Sequence, residues 1–159
     1  AHDVRVRRLG NFHALALTLP DRHVVRTWRL DLNNGLINAN FWLGFGQHEI
    51  PGFADGLPTA ARFANPHGID WLSDDPYNFS ALVCDTGNYL IRVISIYPVE
   101  PAEPTRTIAG SRTEGLQDGI GTKAAFFYPR DIAMDYTSKF AYIADMERVR
   151  VLNVTSTEV

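Results

Sequence analysis

The sequence predicts an all-β protein made of four-stranded antiparallel blades, and three observations predict it. A block of residues recurs in register 63 positions further along the chain. The block is cut into strand-length apolar runs by Gly, Pro, Asp and Asn clusters, and no stretch of comparable length shows a helical period. Recurrence at a fixed spacing is the mark of stacked units that cannot bury their own hydrophobic faces. Gly52-Phe53-Ala54-Asp55-Gly56 is answered by Gly115-Leu116-Gln117-Asp118-Gly119, and Thr59-Ala60-Ala61-Arg62-Phe63 by Thr122-Lys123-Ala124-Ala125-Phe126. Pro66 with Gly68-Ile69-Asp70 is answered by Pro129 with Asp131-Ile132-Ala133.

The elements follow in order. Val4 and Val6 alternate with Arg5, Arg7 and Arg8, which reads as a strand with the arginines on its solvent side. His13 to Leu19 and His23 to Asp31 are strand candidates around Pro20-Asp21-Arg22, and Asn40 to Phe45 closes a degenerate first blade. The complete unit reads as strands from Gly68 to Leu72, Ala81 to Cys84, Leu90 to Ile96 and Thr105 to Ala109. Its second copy shows Tyr142-Ile143-Ala144-Asp145 and Val149-Arg150-Val151-Leu152 after a shorter loop. The expected division is a degenerate blade over 1–45, a full blade over 46–110 and an incomplete blade over 111–159. That is about two and a half blades of an open ring of roughly six.

Gly-x-x-Asp-Gly, then Ala-x-Phe-x-x-Pro-x-Gly-Ile, then Asp85-Thr86-Gly87-Asn88 and Ile91-Arg92-Val93 together resemble the NHL repeat. The resemblance covers residues 44 to 152 and implies β-propeller blades. The second copy departs from it: Asp145-Met146-Glu147-Arg148 stands where the first has the Asp-Thr-Gly-Asn turn, and Arg130-Asp131 where it has His67-Gly68.

Most of the distinctive residues have structural reasons. Asp85, and Asp145 in the second copy, are expected to accept backbone N–H bonds at the turn between second and third strands, with Gly87 supplying positive φ. Phe63 and Phe126 are expected to wedge neighbouring sheets together. Arg92 and Arg150 are expected to pair with a carboxylate of a neighbouring blade, with exposure on an outer face as the alternative. Trp28, Trp42 and Trp71 fall in strand-like segments and are expected to be buried. Cys84, the single cysteine, reads as a small buried thiol.

For function, 159 residues with 45% hydrophobic and 21% charged content describe an ordinary globular chain, and a net charge of −3 argues against a dedicated polyanion binder. No stretch is long and apolar enough to cross a bilayer as a helix. Loops that enter the first strand and loops that join the second to the third share one face of a propeller. That face would carry Arg62, His67, Asn88, Tyr89, Arg130 and Arg148 as ligand-binding candidates. The expected function is a non-enzymatic binding or architectural module without cofactor or metal, mediating protein or glycan interactions. Asn78-Phe79-Ser80 and Asn153-Val154-Thr155 are N-glycosylation sequons, so Asn78 and Asn153 are candidate glycan sites and an extracellular or cell-surface glycoprotein is expected, with a cytoplasmic protein as the alternative. Two other readings come with the resemblance. One is RNA binding through Arg62, Arg130 and Arg148. The other is a metal-dependent lyase resembling the peptide amidating lyase, although His13, His23, His48 and His67 do not recur at matching blade positions. The last blade reads as cut after its third strand, so a protein partner or the remainder of a longer chain is expected to complete the ring, with the fragment reading preferred to a self-assembling subunit.

Overall fold

A computed structural model of the chain describes residues 3–9, 12–33, 36–72, 80–95 and 105–155, with the backbone alone at residues 9, 32–33 and 36–44. Eleven strands are present among them: β1 (Asp3–Leu9), β2 (Phe12–Leu19), β3 (Val24–Asn33), β4 (Leu36–Phe45), β5 (Pro66–Trp71), β6 (Ser80–Asp85), β7 (Leu90–Ser95), β8 (Arg106–Ala109), β9 (Pro129–Met134), β10 (Phe140–Asp145) and β11 (Arg148–Asn153). Among the described residues the only helical elements are three single turns of 3₁₀-helix.

The strands form three antiparallel meanders in sequence order: β1-β2-β3-β4, β5-β6-β7-β8 and β9-β10-β11. These are three successive blades of an open β-propeller. The first strands lie innermost, β1 packing against β5 and β5 against β9.

Burial follows from each sheet's place in the stack. The middle sheet is covered on both faces, so every residue of β6 and β7 is buried. Ala81, Val83 and Ile94 join Ala14, Ala16, Val25 and Phe45 in a core between the first two sheets. Leu82, Cys84, Ile91 and Val93 join Ile132, Ala141, Ile143 and Leu152 in a core between the second and third. β10, covered on one face only, alternates strictly between exposed and buried. Phe63 and Phe126 are both fully buried within these cores.

The first strand of the chain meets the sequence expectation at Arg8, which is exposed, and reverses it elsewhere. Val4 and Val6 are 48% and 57% exposed, while Arg5 and Arg7 are half-buried. Arg5 turns inward because carboxylates of three different inner strands surround it, a long-range arrangement that alternation along one strand does not reveal. Trp71 is buried as expected, Trp28 is only half-buried, and the side chain of Trp42 lies outside the described residues.

Adjacent blades are tied by a repeated pair of polar contacts. The Thr18 hydroxyl donates to the carbonyl of His67, and the Thr86 hydroxyl donates to the carbonyl of Pro129 at 2.6 Å. Asp3 accepts the N–H of Ile69 at 3.1 Å, and Asp70 accepts that of Met134 at 2.8 Å. Each contact satisfies a backbone group of the next blade's inner strand.

Gly68 permits the close approach of two inner strands. A Cβ there would stand 2.5 Å from Cα of Asp131 and 2.9 Å from the carbonyl oxygen of Arg130, all backbone atoms of the neighbouring inner strand. Gly68→Ala is therefore expected to lower stability by about 1–3 kcal/mol through overpacking. Gly52→Ala, whose new methyl would meet Arg62 at an ordinary 3.4 Å, is expected to stay within about 0.5 kcal/mol of the parent in the same denaturant titration.

Candidate functional site

The densest polar constellation in the molecule is a buried guanidinium clamp. Arg92 is fully buried. Its Nη1 donates to Asp85 Oδ2 at 2.8 Å and to the carbonyl of Arg62 at 3.0 Å. Its Nη2 donates to the carbonyl of Ala54 at 2.6 Å and meets Asp55 Oδ1 at 2.7 Å. The guanidinium lies over the rings of Phe63 and Phe53, at 4.7 and 5.3 Å from their centroids. Asp85 also accepts the N–H of Ala64 and the Asn88 amide, each at 2.8 Å.

The third blade repeats the device. Arg150 donates to Asp145, Asp118 and the carbonyls of Ala125 and Gln117, and lies over Phe126. Asp145 accepts the N–H groups of Phe127 and Tyr128. Both arginines thus pair inside their own blade, with the loop that leads into it, and not with a neighbouring blade as the sequence suggested. The loop is the nearer source of carboxylate because it crosses the sheet on the face from which the arginine projects. In the first blade, strand pairing puts Leu19 and Arg26 at the positions of Asp85 and Arg92, so the clamp is absent there.

The turn after Asp85 is also built otherwise than expected. Thr86–Asn88 form a 3₁₀ turn and the left-handed residue is Tyr89, with φ 59°. Gly87 is required for space, since a Cβ would approach the carbonyl oxygen of Ala64 to 2.8 Å. Burial pushes the Asp85 carboxyl up to about 6, against the opposing pull of Arg92, Asn88 and the Ala64 N–H. Burial likewise pushes the Cys84 thiol well up, which holds it in its inert protonated form.

The six candidate ligand residues divide. Arg62 caps the turn before it, its Nη1 donating to the carbonyls of Thr59, Ala60 and Ala61. Asn88 bridges Asp85 and the carbonyl of Gly52. His67 is buried with Nδ1 at 2.8 Å from the carbonyl oxygen of Asn65. Tyr89 is half-buried, its hydroxyl 3.5 Å from Glu114. Arg130 and Arg148 are exposed. His67 and Arg130 come together beside Tyr128: the His67 ring lies 6.3 Å and the Arg130 guanidinium 6.0 Å from the tyrosine ring centroid. Asn78 lies outside the described residues. Asn153 ends β11, where its Oδ1 accepts the N–H and hydroxyl of Thr155.

Arg130 also borders a cleft of about 260 Å³ where the inner strands meet, lined by Asp3, Gly68, Arg130 and Asp131. Arg5 pairs with Asp3, one of the lining residues, and lies within 3.8 Å of Asp70 and 3.6 Å of Asp131. Asp3, Arg5, Tyr128 and Asp131 were missed as site residues. The signal was available, because the repeat register places Asp131 at the position of Gly68 on an inner strand, and inner strands line a propeller's axis. Among the described residues no group of three His, Cys, Asp or Glu side chains is arranged to hold a metal ion.

No family model and no curated protein matches the chain. Solved structures do. The chain is similar to an auxiliary nutrient binding protein from Bacteroides thetaiotaomicron, with 21% identity and a TM-score of 0.74 over 93% of this chain and 36% of that one. It is similar to an auxiliary nutrient binding protein from Bacteroides ovatus, with 26% identity and a TM-score of 0.70 over 94% of this chain and 37% of the other. A third, from B. thetaiotaomicron and named provisionally as a phosphatase, matches with 17% identity and a TM-score of 0.72 over 94% and 33%. The chain thus spans about a third of the length of the structures it matches. The likeness establishes the all-β fold.

Two outcomes test the clamp. Arg92→Ala is expected to cost about 3–5 kcal/mol in chemical denaturation, because it strands a buried carboxylate; Arg150→Ala costs less, since its contact with the equally buried Asp145 is longer, 3.4 against 2.8 Å, and its other partner Asp118 is 80% exposed. The Asp85 carboxyl carbon is expected to titrate near pH 6 by NMR. An acid with a raised folded pKa takes up a proton on folding, so its contribution to stability is fullest below the unfolded value of 3.8 and is lost as pH rises through about 6.

Proposed function

We propose that the chain is part of a non-enzymatic binding protein whose ligand, a glycan, is taken at the axial mouth where Arg130, Tyr128, Asp131 and Asp3 converge. The observation that carries this reading is the contrast in how the polar residues are used. Arg92, Asp85, Asn88, Arg150 and Asp145 hold backbone groups and each other inside the blades. Arg130 and Asp131 stand exposed beside a partly exposed tyrosine at the rim of a cleft. A polyhydroxylated ligand suits this set, because paired acceptors and donors on either side of an aromatic face bind hydroxyl groups and the apolar face of a sugar ring together.

The names of two similar structures, both nutrient binding proteins, support a binding role and an extracellular or cell-surface setting. Among the described residues no helix is long and apolar enough to cross a membrane. The NHL-type repeat belongs to the same proposal: the Asp-Thr-Gly-Asn turn and the Arg of the third strand meet in one clamp in the middle blade, which gives the sequence resemblance a physical content. Modification of Asn153 by an N-linked glycan is also compatible with its place at a strand end.

Screening neutral and acidic oligosaccharides by isothermal titration calorimetry is expected to find saturable binding. Arg130→Ala is expected to weaken it about tenfold, the worth of one hydrogen bond to a charged group, while Arg62→Ala leaves it unchanged. Equal binding by the Arg130→Ala chain, or none by the parent at millimolar sugar, would exclude the axial site.

A further inference from the structure

The first two blades meet at a junction that a histidine holds. In the third blade the segment before the inner strand offers the N–H groups of Phe127 and Tyr128, and Asp145 accepts both, at 3.0 and 2.6 Å. The repeat register puts Ala64 and Asn65 at those positions in the second blade. There Asp85 Oδ1 accepts the N–H of Ala64, while Oδ2 is taken by Arg92 and Asn88. The N–H of Asn65, a left-handed residue with φ 48°, goes instead to Nδ1 of His23 on the turn of the preceding blade, at 3.1 Å.

This contact fixes the state of the ring. A backbone N–H can only donate, so Nδ1 of His23 is the bare nitrogen and the proton of the neutral ring sits on Nε2. The carbonyl of the same Asn65 lies 2.8 Å from Nδ1 of His67, and a carbonyl can only accept, so His67 carries a proton on Nδ1. Asn65 is thus held between two imidazoles, one accepting from it and one donating to it. A further proton on His67 leaves its bond intact, whereas a proton on Nδ1 of His23 turns the acceptor into a donor and destroys the contact.

The titratable and charged groups on the elements packed against His23 are Asp21 and Arg22 on its own turn, His48 and Glu49 on the loop after β4, and His67 and Asp85 in the second blade. Glu49 is engaged by Arg22 at 2.6 Å and lies 3.7 Å from His48, and among the described residues no carboxylate forms an ion pair with His23. Protonation of His23 therefore forfeits the Asn65 bond with no ion pair in return. His23 is half-buried and Asn65 exposed, so a proton reaches the ring without unfolding. We propose that the junction of the first two blades is a proton-operated joint: neutral His23 clasps Asn65, and protonated His23 releases the residue that holds the His67 ring beside Tyr128. Thr18 and Asp3 tie the inner strand in either state of His23, so the joint loosens the rim of the blades without parting them. It operates whatever the cleft binds.

The test follows the ¹⁵N-labelled 159-residue chain by NMR from about pH 8 to about pH 5, the range in which an imidazole changes charge. At the alkaline end, long-range ¹H–¹⁵N spectra are expected to show Nδ1 of His23 bare and Nε2 protonated. As the pH falls, the Asn65 amide proton is expected to move upfield along the same curve as the His23 ring, while the amides of Phe127 and Tyr128, held by a carboxylate, do not follow that curve. His23→Asn keeps an acceptor, suits the left-handed φ of 57° at this position and takes up no proton. In that chain the Asn65 amide is expected to stay in place across the whole range, and in a His23→Phe chain to sit at its upfield position throughout. An Asn65 amide that ignores the His23 titration, or one that titrates equally in the His23→Asn chain, overturns the proposal.

Discussion

A guanidinium removed from water needs partners for its donors, and the middle blade is organised around meeting the two Nη groups of Arg92, while its Nε–H is left without a partner among the described residues. A buried cation is tolerated only where carboxylates and carbonyls replace its hydration. The side chain therefore draws Asp85 from one strand end, Asp55 and the Ala54 carbonyl from the incoming loop, and the Arg62 carbonyl from the segment that leads to the inner strand. One side chain thus fixes where the loop crosses the sheet, and two phenylalanines close over it. The 3₁₀ turn after Asp85 and the close approach of Gly87 to Ala64 follow from the same convergence. The first blade, with Leu19 in the carboxylate's place, is held instead by its long β2, β3 and β4 pairings and by apolar contact with the second.

Stacking explains the rest of the packing. A sheet with neighbours on both sides buries both faces, and the middle blade does so without a single exposed residue in its two central strands. A sheet with one neighbour keeps the alternation of a half-buried strand. Tyr142, Val149 and Val151 are apolar and exposed in the third blade at positions whose counterparts Leu82, Ile91 and Val93 are buried in the second.

The candidate site depends on this architecture without being part of the repeat. Inner strands of successive blades bring Asp3, Asp70 and Asp131 to one place, and Arg5 neutralises part of the charge they concentrate. Asp3 and Asp70 are also occupied with the backbone of the next blade. Asp131, at the register position of Gly68, accepts the N–H of its own neighbour Ile132. It and Arg130 are exposed, and both line the cleft where the inner strands meet.

Read alone, the sequence determined what depends on local pattern and on recurrence. The strand-length apolar runs, the turns between them, the 63-residue register and the burial of Phe63 and Phe126 follow from spacing, because a residue's neighbours along the chain and its counterpart in the next unit impose them. Tertiary structure decided everything that required knowing which groups from distant segments meet. Arg92 was legible as a paired cation, yet its partners come from a loop some 37 residues earlier and from the adjoining strand. Arg5 had the alternation of a surface residue and points inward, because two carboxylates that draw it there belong to strands about 65 and 126 residues away. Gly87 was read as a conformational requirement and is a steric one. Charge pairing and close approach are properties of positions in space, and a strand's own periodicity carries no record of what will be packed against it.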